Sequence, residues 1–189
     1  MKIDEEIKKA VKVLKDGRII VYPTDTIWGI GCDATNAKAI KRIYQLKKRK
    51  EKKTFIVLVS DENQITDYVD DVPEIAWDLL KSYDRPLTII YNNAKNLAKN
   101  LIREDNTIAM RVTRDEFSKR LIEDFGKPIV STSANFSGDQ NPLTFNMISE
   151  GIKNGVDLVV DLYHNSMNDV KPSTIIRFHQ NGEFETIRP

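Results

Sequence analysis

The chain has 189 residues, 40% hydrophobic and 30% charged, with 29 Lys and Arg against 28 Asp and Glu for a net charge of +1. That composition fits one globular domain with a sizeable core, and near-neutrality excludes a chain-wide nucleic-acid surface, so any basic function is local. No apolar run nears the ~20 residues that span a bilayer, MKIDEEIKKA lacks the apolar segment of a signal peptide, and the lone Cys32 excludes an internal disulfide or a cysteine metal cluster; a cytoplasmic, membrane-free protein is the expectation by elimination.

Apolar periodicity predicts alternating helices and strands. Ile7, Val11 and Leu14 recur at helical spacing within a helix over Asp4 to Lys15, with Gly17 suited to the position past its end. A strand follows over Arg18 to Tyr22 and a helix over Asn36 to Lys48. Thr54 to Val59 is an apolar strand that reads as buried on both faces. Pro73 to Tyr83 is helical, with Pro73 in the first turn. Strands over Leu87 to Tyr91 and Ile108 to Val112, a helix over Asp115 to Phe125 and a strand over Ile129 to Ser131 come next. Thr144 to Lys153 is helical, and Val156 to Val160, Thr174 to Phe178 and Phe184 to Ile187 are strands. No repeat or linker interrupts them. The pattern predicts a single α/β domain over residues 1–189, a twisted mixed sheet with helices on its faces.

In open α/β sheets ligands sit beyond the carboxyl ends of strands. Three polar clusters occupy such ends: Pro23-Thr24-Asp25-Thr26, Arg111 closing its strand, and Ser131-Thr132-Ser133-Ala134-Asn135. Taken singly, each reads more readily as a turn or a helix cap. Together they offer hydroxyls, an amide and a guanidinium suited to phosphate or carboxylate. Asp25 fits a turn acceptor and a site residue equally well. Gly29 and Gly31 permit close backbone approach, and Trp28 reads as cavity wall or core packing.

Six of the seven residues from Lys47 to Lys53 are basic. Such a run is usually a solvated face, and cations suit a helix C-terminus. Lys47, however, continues the Ile40-Ile43-Tyr44 stripe at i+3 and i+4. Its stem should lie on the core with the ammonium emerging at the helix end. Lys41, Lys48 and Lys52 fall on the exposed face; Arg49 and Lys53 lie in the connection that follows. Neither a P-loop nor a G-x-G-x-x-G fingerprint occurs, and His164 and His179 have no nucleophile motif nearby. Cys32 reads as a small buried residue. A nucleotide site would use scattered Lys and Arg with strand-end hydroxyls.

YPTDTIWGIGCDA, IKRIYQLKKRKEKKTFIVLV, RPLTIIY, IAMRV, PIVSTSANFSG and KPSTIIRF together resemble the YrdC/TsaC-like threonylcarbamoyl-AMP synthases of the short, single-domain type. The resemblance runs from about Gly17 to Arg188. It implies a YrdC-like fold around a basic cavity and a nucleotidyltransferase reaction. L-threonine, bicarbonate or CO2, and ATP give threonylcarbamoyl-AMP and pyrophosphate, the first step of N6-threonylcarbamoyladenosine formation in tRNA. ATP is then a substrate, with Mg2+ brought on its triphosphate and no protein metal site. Downstream tRNA-threonylcarbamoyl transfer proteins are the implied partners, with weak tRNA contact at most.

The same resemblance assigns residues. Lys47 and Arg49 match a catalytic Lys-x-Arg. Arg49, Lys53, Ser131, Ser133, Asn135 and Arg188 match nucleotide-binding positions. Thr24, Thr26, Lys47, Arg111 and Ser173 match positions for threonine or its carbamate. Ser173 opens its strand, so that strand should run antiparallel to its neighbours to reach the same mouth. Lys50 and Tyr83 to Arg85 depart from the family pattern, as does Asp161-Leu162-Tyr163. Two rivals stand beside the synthase: a YciO-like paralogue without efficient synthase activity, and an RNA- or nucleotide-binding module.

Overall fold

The computed structural model describes residues 2–49, 55–164, 172–179 and 183–189. Helix α1 (Lys2–Lys15) leads into β1 (Ile20–Tyr22) and β2 (Gly29–Gly31), then α2 (Ala37–Leu46) and β3 (Ile56–Val59). Next come α3 (Glu74–Ser82), β4 (Leu87–Tyr91), β5 (Ile108–Val112), α4 (Glu116–Phe125) and β6 (Ile129–Ser133). The short α5 (Glu150–Lys153) and the strands β7 (Leu158–Val159), β8 (Thr174–Phe178) and β9 (Phe184–Arg188) complete the order. The strands form one sheet in the order β7-β1-β2-β6-β3-β5-β4-β8-β9. β1–β7, β3–β5 and β4–β8 are parallel and the remaining pairs antiparallel. It is the mixed sheet the periodicity calls for.

Local chemistry explains the helix boundaries. Asn36 caps α2 by accepting from the backbone N–H of Lys38 and Ala39, and Asp115 caps α4 by accepting from Ser118. Gly126 ends α4 in the left-handed region at φ 78°. Two expectations differ from the structure. Thr144 to Lys153 is not one helix: a 3-10 turn at Phe145–Met147 stops at Ile148, and Ser149 starts α5 by capping Ile152. Strand β2 had no sequence signal, because its residues are Gly-Ile-Gly and glycine weakens a strand pattern.

The glycines of β2 have a steric reason. A Cβ on Gly31 would lie 2.7 Å from both the Val130 carbonyl oxygen and a ring carbon of Tyr22. Gly31→Ala should therefore cost about 1–3 kcal/mol through overpacking. A lower urea midpoint at unchanged slope checks this; an unchanged midpoint would show that the β1–β2–β6 seam can open.

Strand alternation divides the sheet into two faces. Val21, Ile30, Val57, Val59, Ile89, Met110, Val130 and Ile176 point to one face, where they bury the main core with Ile40, Ile43 and Tyr44 of α2 and Ala76 of α3. Ile20, Tyr22, Leu58 and Ile129 point to the other face, under Ile7 and Leu14 of α1 and Phe117 and Leu121 of α4. Those two helices cover only part of that second face. The register carries it onward through Gly29–Ser133, Ile56–Ser131, Ile56–Ala109, Thr88–Arg111 and Ile175–Arg188. Here the inward residues turn small, polar or cationic, and a cavity opens.

Candidate functional site

The cavity has a volume of about 340 Å3. Its walls include Thr26 and Gly29, Arg49 and Phe55, Arg111, Ser131 and Ser133, and Ser173 and Arg188. The site is thus not a row of strand carboxyl ends. β3 is parallel to β5 and antiparallel to β6, so Arg111 and Ser133 close strands that point in opposite directions. They meet because both side chains leave the same face of the sheet. The strand with Ser173 at its start also corrects the expectation: β8 is antiparallel to β9 but parallel to β4. Ser173 still shares the cavity wall with Arg111, because β4 itself reverses against β5 and brings the start of β8 to the side of the sheet where β5 ends.

Arg111 is the most enclosed cation of the wall. Its Nη2 lies 2.9 Å from Asp25 Oδ1, with the two side chains 4% and 9% exposed. The same nitrogen donates to Thr26 Oγ1 at 3.4 Å. Thr24, behind Thr26, donates its hydroxyl to the Ile27 carbonyl at 2.7 Å and accepts from the Thr26 backbone N–H. Burial pushes the Asp25 carboxyl up, and the Arg111 guanidinium opposes that rise without cancelling it. Across the cavity, Arg188 donates from Nε to the Ser173 carbonyl at 2.9 Å and from Nη2 to the Ser173 hydroxyl at 3.1 Å. Ser173 and Thr88 share a hydrogen bond at 2.8 Å. Burial, and then the charge of Arg111, pull Arg188 below its usual value.

The Lys-x-Arg pair divides. Arg49 lines the cavity, with its guanidinium 5.1 Å from the centre of the Phe55 ring and Nη1 donating to Thr132 Oγ1 at 3.3 Å. The Lys47 stem lies on the core as the stripe argument requires, at 1% exposure, but its ammonium does not emerge. It turns into the loop after β6 and donates to the carbonyls of Ser133 at 2.5 Å and Asn135 at 2.6 Å. The Ser137 backbone N–H returns a bond to the Lys47 carbonyl. Burial, with Arg49 nearby, pulls the Lys47 ammonium down to about 7. Asn135 also faces the loop, donating its side-chain amide to the Asp139 carbonyl at 2.7 Å.

Of the residues singled out from sequence, Thr26, Arg49, Arg111, Ser131, Ser133, Ser173 and Arg188 share the cavity wall. Thr24, Lys47 and Asn135 stand behind it, holding its loops. Lys53 lies outside the described residues, as does Lys52. Sequence reasoning missed Arg103 and Asn141, which also line the wall. Both come from loops with no periodicity, and no spacing signal marks them. Trp28 packs into the core, edge-on to Phe145 with ring centres 5.2 Å apart. Cys32 is buried, and burial holds its thiol well above the ordinary value. Among the described residues no three His, Cys, Asp or Glu side chains group as a metal site, and no helix is long and apolar enough to cross a membrane.

Residues 12–189 match the Sua5/YciO/YrdC family, described as telomere recombination. A threonylcarbamoyl-AMP synthase of Pseudoalteromonas translucida is 39% identical over 141 residues, covering 73% of this chain and 75% of that protein. P. abyssi Sua5 complexed with L-threonine superposes with a TM-score of 0.88 at 26% identity, covering 97% of this chain and 53% of that one. This chain thus spans about half of that longer protein. E. coli YciO superposes with a TM-score of 0.83 at 27% identity, covering 96% of this chain and 87% of that chain.

Proposed function

We propose a function from one premise: the chain belongs to the Sua5/YciO/YrdC family. It is a threonylcarbamoyl-AMP synthase, joining L-threonine, bicarbonate or CO2, and ATP into threonylcarbamoyl-AMP with release of pyrophosphate. The observation that carries this reading is the cavity wall, where Arg49, Arg103, Arg111 and Arg188 converge with serine and threonine hydroxyls, and no carboxylate lines it among the described residues. Such a wall suits several anions held together, and the reaction requires that. The naming of the similar Pseudoalteromonas protein favours the synthase over the YciO-like alternative.

The chemistry needs no nucleophilic side chain. Threonine's amine takes up CO2 to form a carbamate. A carbamate oxygen then attacks the α-phosphorus, and pyrophosphate leaves with the electron pair of the broken P–O bond. The protein's contribution is to hold the reactants in line and offset charge that would otherwise repel them. In our assignment Arg111, Thr26 and Ser173 hold the threonine end. Arg49, Ser131, Ser133 and Arg188 hold the nucleotide, with Lys53 from the segment that follows. Thr24, Lys47 and Asn135 act through the loops they fix. Mg2+ enters with the triphosphate: the wall's guanidiniums and hydroxyls are not a donor set that binds it alone. The product passes to proteins that transfer it to tRNA, in the cytoplasm, and the enzyme's own tRNA contact is weak.

Incubation with ATP, threonine and bicarbonate should release pyrophosphate and yield the adenylate by mass spectrometry. Omitting threonine or bicarbonate should abolish both. Equal pyrophosphate release from ATP alone would mean a simple hydrolase.

A further inference from the structure

We propose that Asp25 is a positioning residue for the amino-acid end of the cavity, acting through Arg111 and a directed chain of hydroxyls. The inference rests on the synthase reading and adds to it a residue and a polarity. Asp25 is not among the lining residues of the cavity; it lies behind Arg111. Its carboxylate nevertheless holds Arg111 Nη2 at 2.9 Å. An arginine side chain has many rotamers; this ion pair favours the one that also reaches Thr26 Oγ1. Arg111 itself lines the cavity, so the fixed guanidinium faces an incoming anion.

The hydroxyls then have only one consistent direction. Thr24 has a single hydroxyl proton, and the Ile27 carbonyl receives it at 2.7 Å. In the 3.0 Å contact between the two hydroxyls, Thr26 must therefore be the donor. Thr26 has spent its proton on Thr24 and accepts from Arg111, leaving one lone pair. Toward a ligand it can only accept. Arg111 thus presents N–H groups for a carboxylate, and Thr26 beside it presents an acceptor for an N–H. An α-amino acid carries those two groups on one carbon. A phosphate carries no N–H and gains nothing from Thr26. The arrangement separates the amino-acid end from the nucleotide end.

Binding of L-threonine and of ATP, each measured alone by calorimetry, tests this without turnover. Asp25→Asn keeps the shape but loses the charge that fixes Arg111. It should weaken L-threonine at least ~10-fold, the scale of a lost charge-assisted contact, and change ATP affinity less than ~2-fold. Thr26→Val, which removes the acceptor, should weaken threonine similarly; Thr26→Ser should bind like wild type. Threonine binding unchanged in Asp25→Asn, or in Thr26→Val, overturns the proposal. So does equal weakening of both ligands, which would mark a merely structural role. A wild-type protein that binds ATP but not L-threonine takes the synthase reading down as well.

Discussion

Arg111→Met should destabilise the protein by about 3–5 kcal/mol, because it strips the partner from a buried carboxylate. The Asp25 and Arg111 side chains are 9% and 4% exposed, so water cannot replace the lost guanidinium. Adenylate formation should fall at least ~100-fold in protein that remains folded, since the cavity loses its most enclosed charge. The pH dependence has a definite sign. Burial already raises the Asp25 carboxyl above its ordinary value, and removing Arg111 raises it further. The folded variant then binds a proton that the unfolded chain does not hold at the same pH. Its stability therefore rises as pH falls through the raised value and is fully recovered below the unfolded one. Adding Asp25→Asn should restore most of the loss at neutral pH. Urea melts of both single variants and the double variant form the cycle that isolates the pair. A single Arg111→Met variant as stable as wild type would mean the carboxylate is hydrated after all.

Lys47→Ala should lower adenylate formation at least ~10-fold and also reduce stability by about 1–3 kcal/mol, the cost of buried acceptors left without a donor. The stability loss is the decisive part. From spacing alone the Lys47 ammonium emerges at the helix end, and an ammonium facing solvent costs little stability when removed. In the structure the ammonium serves the carbonyls of Ser133 and Asn135. Those carbonyls lie at the end of β6 and in the loop after it, beside the Ser131 and Ser133 that line the cavity. Lys48 is exposed, and its ammonium sits 5.5 Å from the Phe136 ring centre. Lys48→Ala should stay within about two-fold of wild type in rate, as solvated charges contribute little. Activity lost from Lys47→Ala with its melting temperature intact would place the ammonium on substrate instead.

These cases show what periodicity can and cannot carry. Strands such as Leu87–Tyr91 and Ile108–Val112 were legible to the residue, because apolar runs bounded by turns have few other readings. The helices expected to begin at Asn36 and Asp115 do so, and the structure shows both side chains capping them. Strand β2 was not, since its two glycines answer to Tyr22 and the Val130 carbonyl, contacts made only after the sheet assembles. The Lys47 stem was legible from its stripe, but not the ammonium's destination, on a loop 86 and 88 residues away. Arg103 and Asn141 were invisible for a similar reason: loops carry no period to betray the direction of a side chain. The cavity itself was expected at strand carboxyl ends, a rule that presumes parallel strands. Here antiparallel pairing scatters those ends, and a shared sheet face gathers the residues.

The incomplete cover on that second face has an energetic meaning. Where α1 and α4 stop, the fold forgoes apolar burial and instead crowds guanidiniums that repel one another; burial first, and then the charge of Arg111, hold Arg188 below its usual value. A polyanion entering the cavity relieves that repulsion and ties β2, β6, β5 and β8 to one another. Part of its affinity is therefore free energy withheld from the empty fold, and the protein's resistance to unfolding follows the concentration of its own substrate.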